Sequence, residues 1–360
     1  MVNEHLKNKR IIYYDYIRAF AIFGVIACHI FAGFVVNKDI FGTNLWYYSI
    51  FLNSLRDVSV PLFVCVSGAL LITKKDSIAV FIKKRLNKVL IPYFFWVIMF
   101  ILIEIFCYGK NNNPKQFIIN VFSIPPEGSA VVFWFVQMIL VVYIVIIILN
   151  KLIQYKESFL KLSLLVSVIV AVLINFNLIP MNTLERYLYY SIFAIFGFYL
   201  SSYDFTENKI VKLSKEKLAV LFLILSIILY LLEIYFNITT SIKLNNYHSV
   251  NQFGFLNISL VISAFLFFRY FSESKGKLNK LFNYIQKSKI GKMILSIGLC
   301  SYGIYLSHII IRDGLQMLKF KSISPSILFT IYLFITLISS WLIILLMSKV
   351  PILNKVCGKS

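Results

Sequence analysis

Charge is what this chain has least of. Only 14 % of its 360 residues are Asp, Glu, Lys or Arg, and 59 % are hydrophobic, whereas soluble domains carry roughly 25 % charged residues. That balance excludes a soluble globule. Carboxylates are scarcest, with 15 against 36 basic side chains and a formal net charge of +21. The 5 cysteines (Cys28, Cys65, Cys107, Cys300 and Cys357) are scattered, mostly inside apolar runs. They show neither metal-type spacing nor a disulfide framework and read as packing residues. No ligand cluster is visible, so no metal is expected. A glycine-rich phosphate loop, an internal repeat and a substantial soluble domain are also lacking, which leaves one membrane-embedded domain over 1–360.

Apolar length is abundant. "VLIPYFFWVIMFILIEIFCY" and "FWFVQMILVVYIVIIIL" are long enough to cross a hydrocarbon core of about 30 Å as helices, which takes about 20 residues. A transmembrane barrel would show short alternating segments instead. The expectation is an all-α polytopic membrane protein of ten spans, near 12–36, 46–72, 88–108, 130–150, 160–179, 184–202, 217–236, 252–272, 291–312 and 325–349. Counted over alternate loops, about three-quarters of the 36 basic residues fall on one side, which puts both termini in the cytoplasm. The basic surplus therefore reads as topology and membrane-lipid attraction, with no nucleic-acid partner. "HLKNKR" resembles the charged start of a signal peptide, but the apolar segment after it is long and has no clear cleavage site, so an uncleaved first span is expected.

Two basic cytoplasmic segments are more than turns. The one at 273–290 sets Leu278, Leu281, Phe282 and Ile285 on one helical face among lysines, the pattern of a helix lying in the interface. The one at 73–88 could do the same ahead of span three.

Polar residues inside the spans carry the functional signal. Span one reads "YDYIRAFAIFGVIACHIF". Arg18 and His29 are eleven residues apart, which places them about 20° apart around a helix and roughly 16 Å apart along it. Asp15 is one turn before Arg18, within pairing reach. A polar ring at the depth of His29 is costly unless it faces a partner or a water-filled cavity. A neutral imidazole there can take a proton from a hydroxyl as another bond forms. Arg56 and Asp57 are adjacent charges within span two, shortly before Pro61, which is expected to break the helix and open a cavity. Glu104 and Glu233 are single carboxylates within spans. His248 and His5 fall in an outer loop and the N-terminal tail and are given no role.

Four stretches, in order along nearly the whole chain, resemble the membrane acyltransferase-3 family. "DYIRAFAIFGVIACH" is similar to its first span, in which a basic residue, ten residues and a histidine recur, here Arg18 and His29. "VPLFVCVSGALLI" resembles its second-span signature, carried by Pro61, Phe63, Ser67 and Gly68. "KKRLNKVLIPYFFW" resembles its third span, where two basic residues three apart precede a proline. "SYGIYLSHI" resembles a late stretch and supplies Ser301, Gly303, Tyr305 and His308.

The resemblance implies an enzyme that moves an acyl group, most often acetyl, from acyl-CoA to a hydroxyl of a cell-envelope polysaccharide or lipid-linked glycan. Acyl-CoA is then a co-substrate and no cofactor is permanently bound. His29 maps to the catalytic histidine, Arg18 to the basic residue it needs, and Arg85 and Lys88 to the pair associated with the CoA nucleotide. Asp15, Arg56, Asp57, Ser67, Trp134 and His308 are candidate wall residues, with Arg56 or Ser67 as oxyanion donor. Two departures stand out. Lys88 occupies a position usually held by Arg, which loses bidentate phosphate contact. Span four opens "VFWF", where many relatives have His-Leu before Trp-Phe. The Lys-, Asn- and Ile-rich make-up points to a bacterial cytoplasmic membrane. The rival reading is a transporter or exporter of a polysaccharide or lipid-linked substrate using Arg56, Asp57, Glu104 and Glu233. An inactive relative with a structural role is a third.

Overall fold

A computed structural model describes residues 11–359 except 75, 107–113, 127, 177, 180–181, 205, 207–212, 250–253 and 319–322, and only the backbone of 104–106, 114, 128 and 129. The described chain is helical, without strands: α1 (Ile12–Val35), α2 (Asn44–Asn53), α3 (Leu55–Leu71), α4 (Ile78–Phe106), α5 (Pro114–Phe122), α6 (Trp134–Tyr155), α7 (Ser158–Asn175), α8 (Thr183–Ser202), α9 (Lys215–Leu244), α10 (Phe255–Glu273), α11 (Lys277–Lys287), α12 (Lys289–Gln316) and α13 (Pro325–Met347). Among the described residues, 9 helical stretches are long and apolar enough to cross a membrane, with α2 and α3 forming one of them. The chain is a multi-pass helical membrane protein. The expected span at 184–202 is α8, a 20-residue helix rich in tyrosine and carrying Glu185 and Arg186. Most of its faces are buried against protein, so it needs less apolar surface than a helix that meets lipid.

α1 is the axis of the bundle, packed against α2, α3, α10, α12 and α13. Small residues let its neighbours close in, as expected where lipid removes the hydrophobic drive between helices. A methyl group on Gly298 of α12 would lie 2.1 Å from the Asp15 carbonyl. The α3–α8 seam is equally tight: a methyl on Gly68 would meet the Ala194 carbonyl at 1.9 Å, and one on Gly197 the Cys65 carbonyl at 2.0 Å. On the outside, α9 exposes Leu221, Ile224, Ile228 and Leu231, a lipid-facing stripe.

Helix ends are capped across the bundle, which fixes where the polar segments fall. The Trp46 indole donates to the Val35 carbonyl at 3.1 Å and closes α1. Asn150 of α6 donates to the Leu71 carbonyl at 3.0 Å and accepts from the Thr73 amide at 2.8 Å. Arg269 donates to the Leu200 and Tyr203 carbonyls at 2.5 and 2.6 Å and closes α8.

Two expectations need correction. The segment at 73–88 does not form a separate interfacial helix: α4 starts at Ile78 and continues into the span, so Lys83, Lys84 and Lys88 sit on the first turns of a transmembrane helix. Nor does the helix break at Pro61. The interruption is at Ser54, between α2 and α3, and Pro61 is inside α3. Proline lacks the N–H that would bond the carbonyl four residues back, and Asn257 of α10 supplies that bond, donating to the Asp57 carbonyl at 2.7 Å. The basic segment at 273–290 does contain the amphipathic α11. Phe282 packs on Tyr16 and Phe271 at ring distances of 5.6 and 5.3 Å, whereas Leu281 stays exposed.

Candidate functional site

A cavity of about 1150 Å³ runs through the bundle. One end is bordered by Lys74, Arg85 and Lys88 and by Lys355 and Lys359 after α13; we call this the basic end. Arg18, Ser67 and Tyr143 line the way inward, and His29, Cys28, Arg56 and Asp57 line the middle. Trp134, Thr183, Arg186, Tyr187 and Tyr190 form the opposite wall. Of the residues singled out from sequence, Asp15, Arg18, His29, Arg56, Asp57, Ser67, Arg85, Lys88 and Trp134 all face this space.

The polar face of α1 spans its depth. Arg18 pairs with Asp15 at 3.1 Å, with the carboxylate buried and the guanidinium half-buried. His29 is half-buried because its ring borders the cavity. His308, expected on the wall, is fully buried behind it instead, with its ring centroid 5.1 Å from that of His29. The His308 Nδ1 lies 2.6 Å from the Tyr305 carbonyl, so Nδ1 carries the proton. Its Nε2 is left as an acceptor with no hydrogen-bond partner in the described structure. Arg312, one turn further along α12, donates to the His29 carbonyl at 3.2 Å and pins the two helices together at this level.

Arg56 reaches Asp57 through Nε at 3.1 Å. The other Asp57 oxygen makes no hydrogen bond among the described residues, and neither does Oε2 of buried Glu233. These two carboxyls lie against each other. Cys28 donates to Asn53 at 3.4 Å, and Asn53 in turn donates to the Tyr247 hydroxyl at 3.0 Å. The side chain of Glu104, the remaining carboxylate of the transporter reading, lies outside the described residues. The Ser67 hydroxyl donates to the Phe63 carbonyl at 3.0 Å, which weakens it as an oxyanion donor and leaves Arg56.

At the basic end the cations are crowded. Burial, and then the neighbouring Arg85, hold the Lys74 ammonium below its ordinary range, with Lys84 and Lys88 adding to the effect against Asp76. The guanidinium of Arg85 stands over the Phe81 ring at 5.9 Å, and its Nε is buried without a partner. At the opposite end Trp134 stacks near Tyr187 at 6.3 Å and 24° and lies 5.8 Å from Tyr190. Trp134 is therefore part of an aromatic wall and does not serve only as an interfacial anchor.

Sequence reading missed Tyr143, Arg186, Tyr187, Tyr190, Lys355 and Lys359. The dense "RYLYY" in α8 was the available signal, since four aromatic or basic groups in a span suit a wall better than lipid. Among the described residues no group of three or more His, Cys, Asp or Glu could hold a metal.

A family model described as an acyltransferase domain matches residues 11–345. No curated protein and no solved structure matches the chain. The match covers nearly the whole chain and every helix that builds the cavity, and the chain belongs to the acyltransferase-3 family of membrane proteins.

Proposed function

We propose that this protein transfers an acyl group, acetyl by preference, from acyl-CoA to a hydroxyl of a cell-envelope polysaccharide or lipid-linked glycan. The observation that carries the reading is the single cavity linking a cationic rim to His29 and then to an aromatic wall. The basic end is the cytoplasmic end by the distribution of lysine and arginine, which is where CoA is available. Phosphate matches the cations there, and the roughly 16 Å of helix from Arg18 to His29 is comparable to a pantetheine arm. The aromatic wall suits a sugar ring approaching from the other side.

In the reaction, the His29 imidazole takes the acceptor hydroxyl proton as the oxygen attacks the thioester carbon. Negative charge builds on the former carbonyl oxygen, where the Arg56 charge opposes it. Collapse breaks the carbon–sulfur bond, and the departing CoA thiolate receives the proton from His29. The ester bond forms and the histidine returns to neutral. His308 acts as a positioning residue, since its bare Nε2 can accept a hydrogen bond from one ring N–H of His29 and aim the other nitrogen at the cavity. Arg18, held by Asp15, guides the arm.

The test is thioester cleavage by purified protein with and without envelope glycan. His29→Ala should keep acetyl-CoA binding and lose glycan-dependent cleavage by about 10²–10⁴-fold, the usual range for a general base. Wild type that neither binds nor cleaves any acyl-CoA overturns the reading. The buried Arg56–Asp57–Glu233 cluster favours a transporter as the second reading. Turnover in detergent, where no gradient exists, decides between the two.

A further inference from the structure

The residues after α13 fold back beneath the bundle. A 3-10 turn over Leu353–Lys355 follows Pro351, and the Cys357 amide donates to the Leu353 carbonyl at 2.9 Å. Cys357 is then fully buried in the main core. Its carbonyl stands 2.2 Å from where a Gly303 methyl would be, and Gly358, at φ +78°, lies so close that its own methyl would be 3.0 Å from Gly303 Cα. Positive φ and backbone-to-backbone contact both select glycine. The tail is thus docked on α12 at a glycine pair, and the residues flanking the dock, Lys355 and Lys359, border the cavity beside Lys74, Arg85 and Lys88.

Among the described residues this rim carries little neutralising charge. Asp15 is the carboxylate on this side of the lining, and Arg18 engages it. Lys84 takes up Asp76, and among the described residues Lys359 donates to the Ser348 hydroxyl, at 3.1 Å. Five cationic side chains converging on one opening, with Arg85 Nε buried and unpartnered, is the arrangement for a ligand bearing several phosphates. Strongly basic clefts concentrate such anions.

We infer that the docked C-terminal segment is part of the donor site, with Lys355 and Lys359 contacting the diphosphate and 3′-phosphate of acyl-CoA opposite Arg85 and Lys88. The inference rests on the acyl-CoA reading and concerns residues beyond the family match, which ends at 345.

The test compares wild type with Lys355→Gln/Lys359→Gln, Lys355→Arg/Lys359→Arg and Gly358→Ala in neutral detergent. The probes are acetyl-CoA, 3′-dephospho-acetyl-CoA and S-acetyl-N-acetylcysteamine, a thioester without the nucleotide. The double Gln variant should raise KM for acetyl-CoA roughly tenfold or more, since each lost phosphate contact costs a sizeable factor. Its kcat and its turnover of the nucleotide-free thioester should stay at wild-type values. The double Arg variant should restore KM, and Gly358→Ala should mimic the loss by undocking the tail. Unchanged KM for acetyl-CoA in the double Gln variant overturns the tail site and leaves the acyl-CoA reading standing. The same variant losing only affinity for vesicles of anionic lipid assigns the lysines to lipid phosphate and overturns it too. If wild type fails to bind acetyl-CoA, both readings fall together.

Discussion

The imidazoles of His29 on α1 and His308 on α12 stand with ring centroids 5.1 Å apart, one bordering the cavity and the other fully buried. The buried ring has a fixed tautomer through the Tyr305 carbonyl and presents an acceptor with no hydrogen-bond partner among the described residues. Under the proposed mechanism it orients His29. His308→Ala should lower kcat by about 10–100-fold, as removal of an orienting group does, with KM for acetyl-CoA unchanged. His308→Gln, which restores an acceptor, should recover part of the rate. A purely structural role would instead lower both variants' melting temperature and stable yield together, so thermal melts beside the kinetics separate the two.

The α3–α8 seam should be intolerant of even one methyl. On Gly197 it would lie 2.0 Å from the backbone of Cys65, where no side chain can yield, while Gly33 has nothing within 4 Å. Overpacking of this kind costs about 1–3 kcal/mol or more. Gly197→Ala should therefore melt well below wild type or fail to accumulate, and Gly33→Ala, in open space within α1, should melt at or slightly above wild type. Equal melts for the two variants would show that the helices can slide apart at little cost.

Much of this architecture is legible in the sequence because its signals are local. Arg18 and His29 share a face through the arithmetic of three helical turns, and apolar runs mark nine of the spans. What was not legible depends on which helices become neighbours. His308 meets His29 only because α12 packs on α1, and no periodicity within either helix encodes that pairing. Lys355 and Lys359 look like ordinary positive-inside residues until the chain turns at Pro351 and Gly358 docks on Gly303. Pro61 misled for a related reason: a proline breaks a helix when the freed carbonyl has no other donor, and here Asn257, 200 residues away along the chain, is that donor.

That last contact gives a sharp test. Asn257→Leu removes the bond to the Asp57 carbonyl and leaves it buried without a partner in place of its 2.7 Å hydrogen bond, at a cost of about 1–3 kcal/mol. Pro61→Ala restores an N–H that can reach the same carbonyl. The double variant should therefore be more stable than Asn257→Leu alone, with a coupling energy of about 1 kcal/mol or more. Additive losses in detergent melts would mean that Asn257 acts through its packing and not through this bond.

Stability toward acid should depend on Asp204, in the loop after α8. Burial pushes its carboxyl up, but hydrogen bonds from Lys215 and Thr206 outweigh that and bring it from 3.8 down to about 2. Lys215 also binds Glu273 at 2.8 Å, and Glu273 holds Arg269 at 3.0 Å, so this carboxylate helps tie α8, α9 and α10 together. A carboxyl depressed on folding contributes stability that is fully present above its unfolded value and is lost as pH falls through its folded value. Asp204→Asn should thus melt below wild type at pH 7 and by the same margin down to about pH 4. The margin should shrink between pH 4 and pH 2 as the wild-type carboxylate takes up its proton. A margin that stays constant across that window would place the effect in packing and remove the charge from the account.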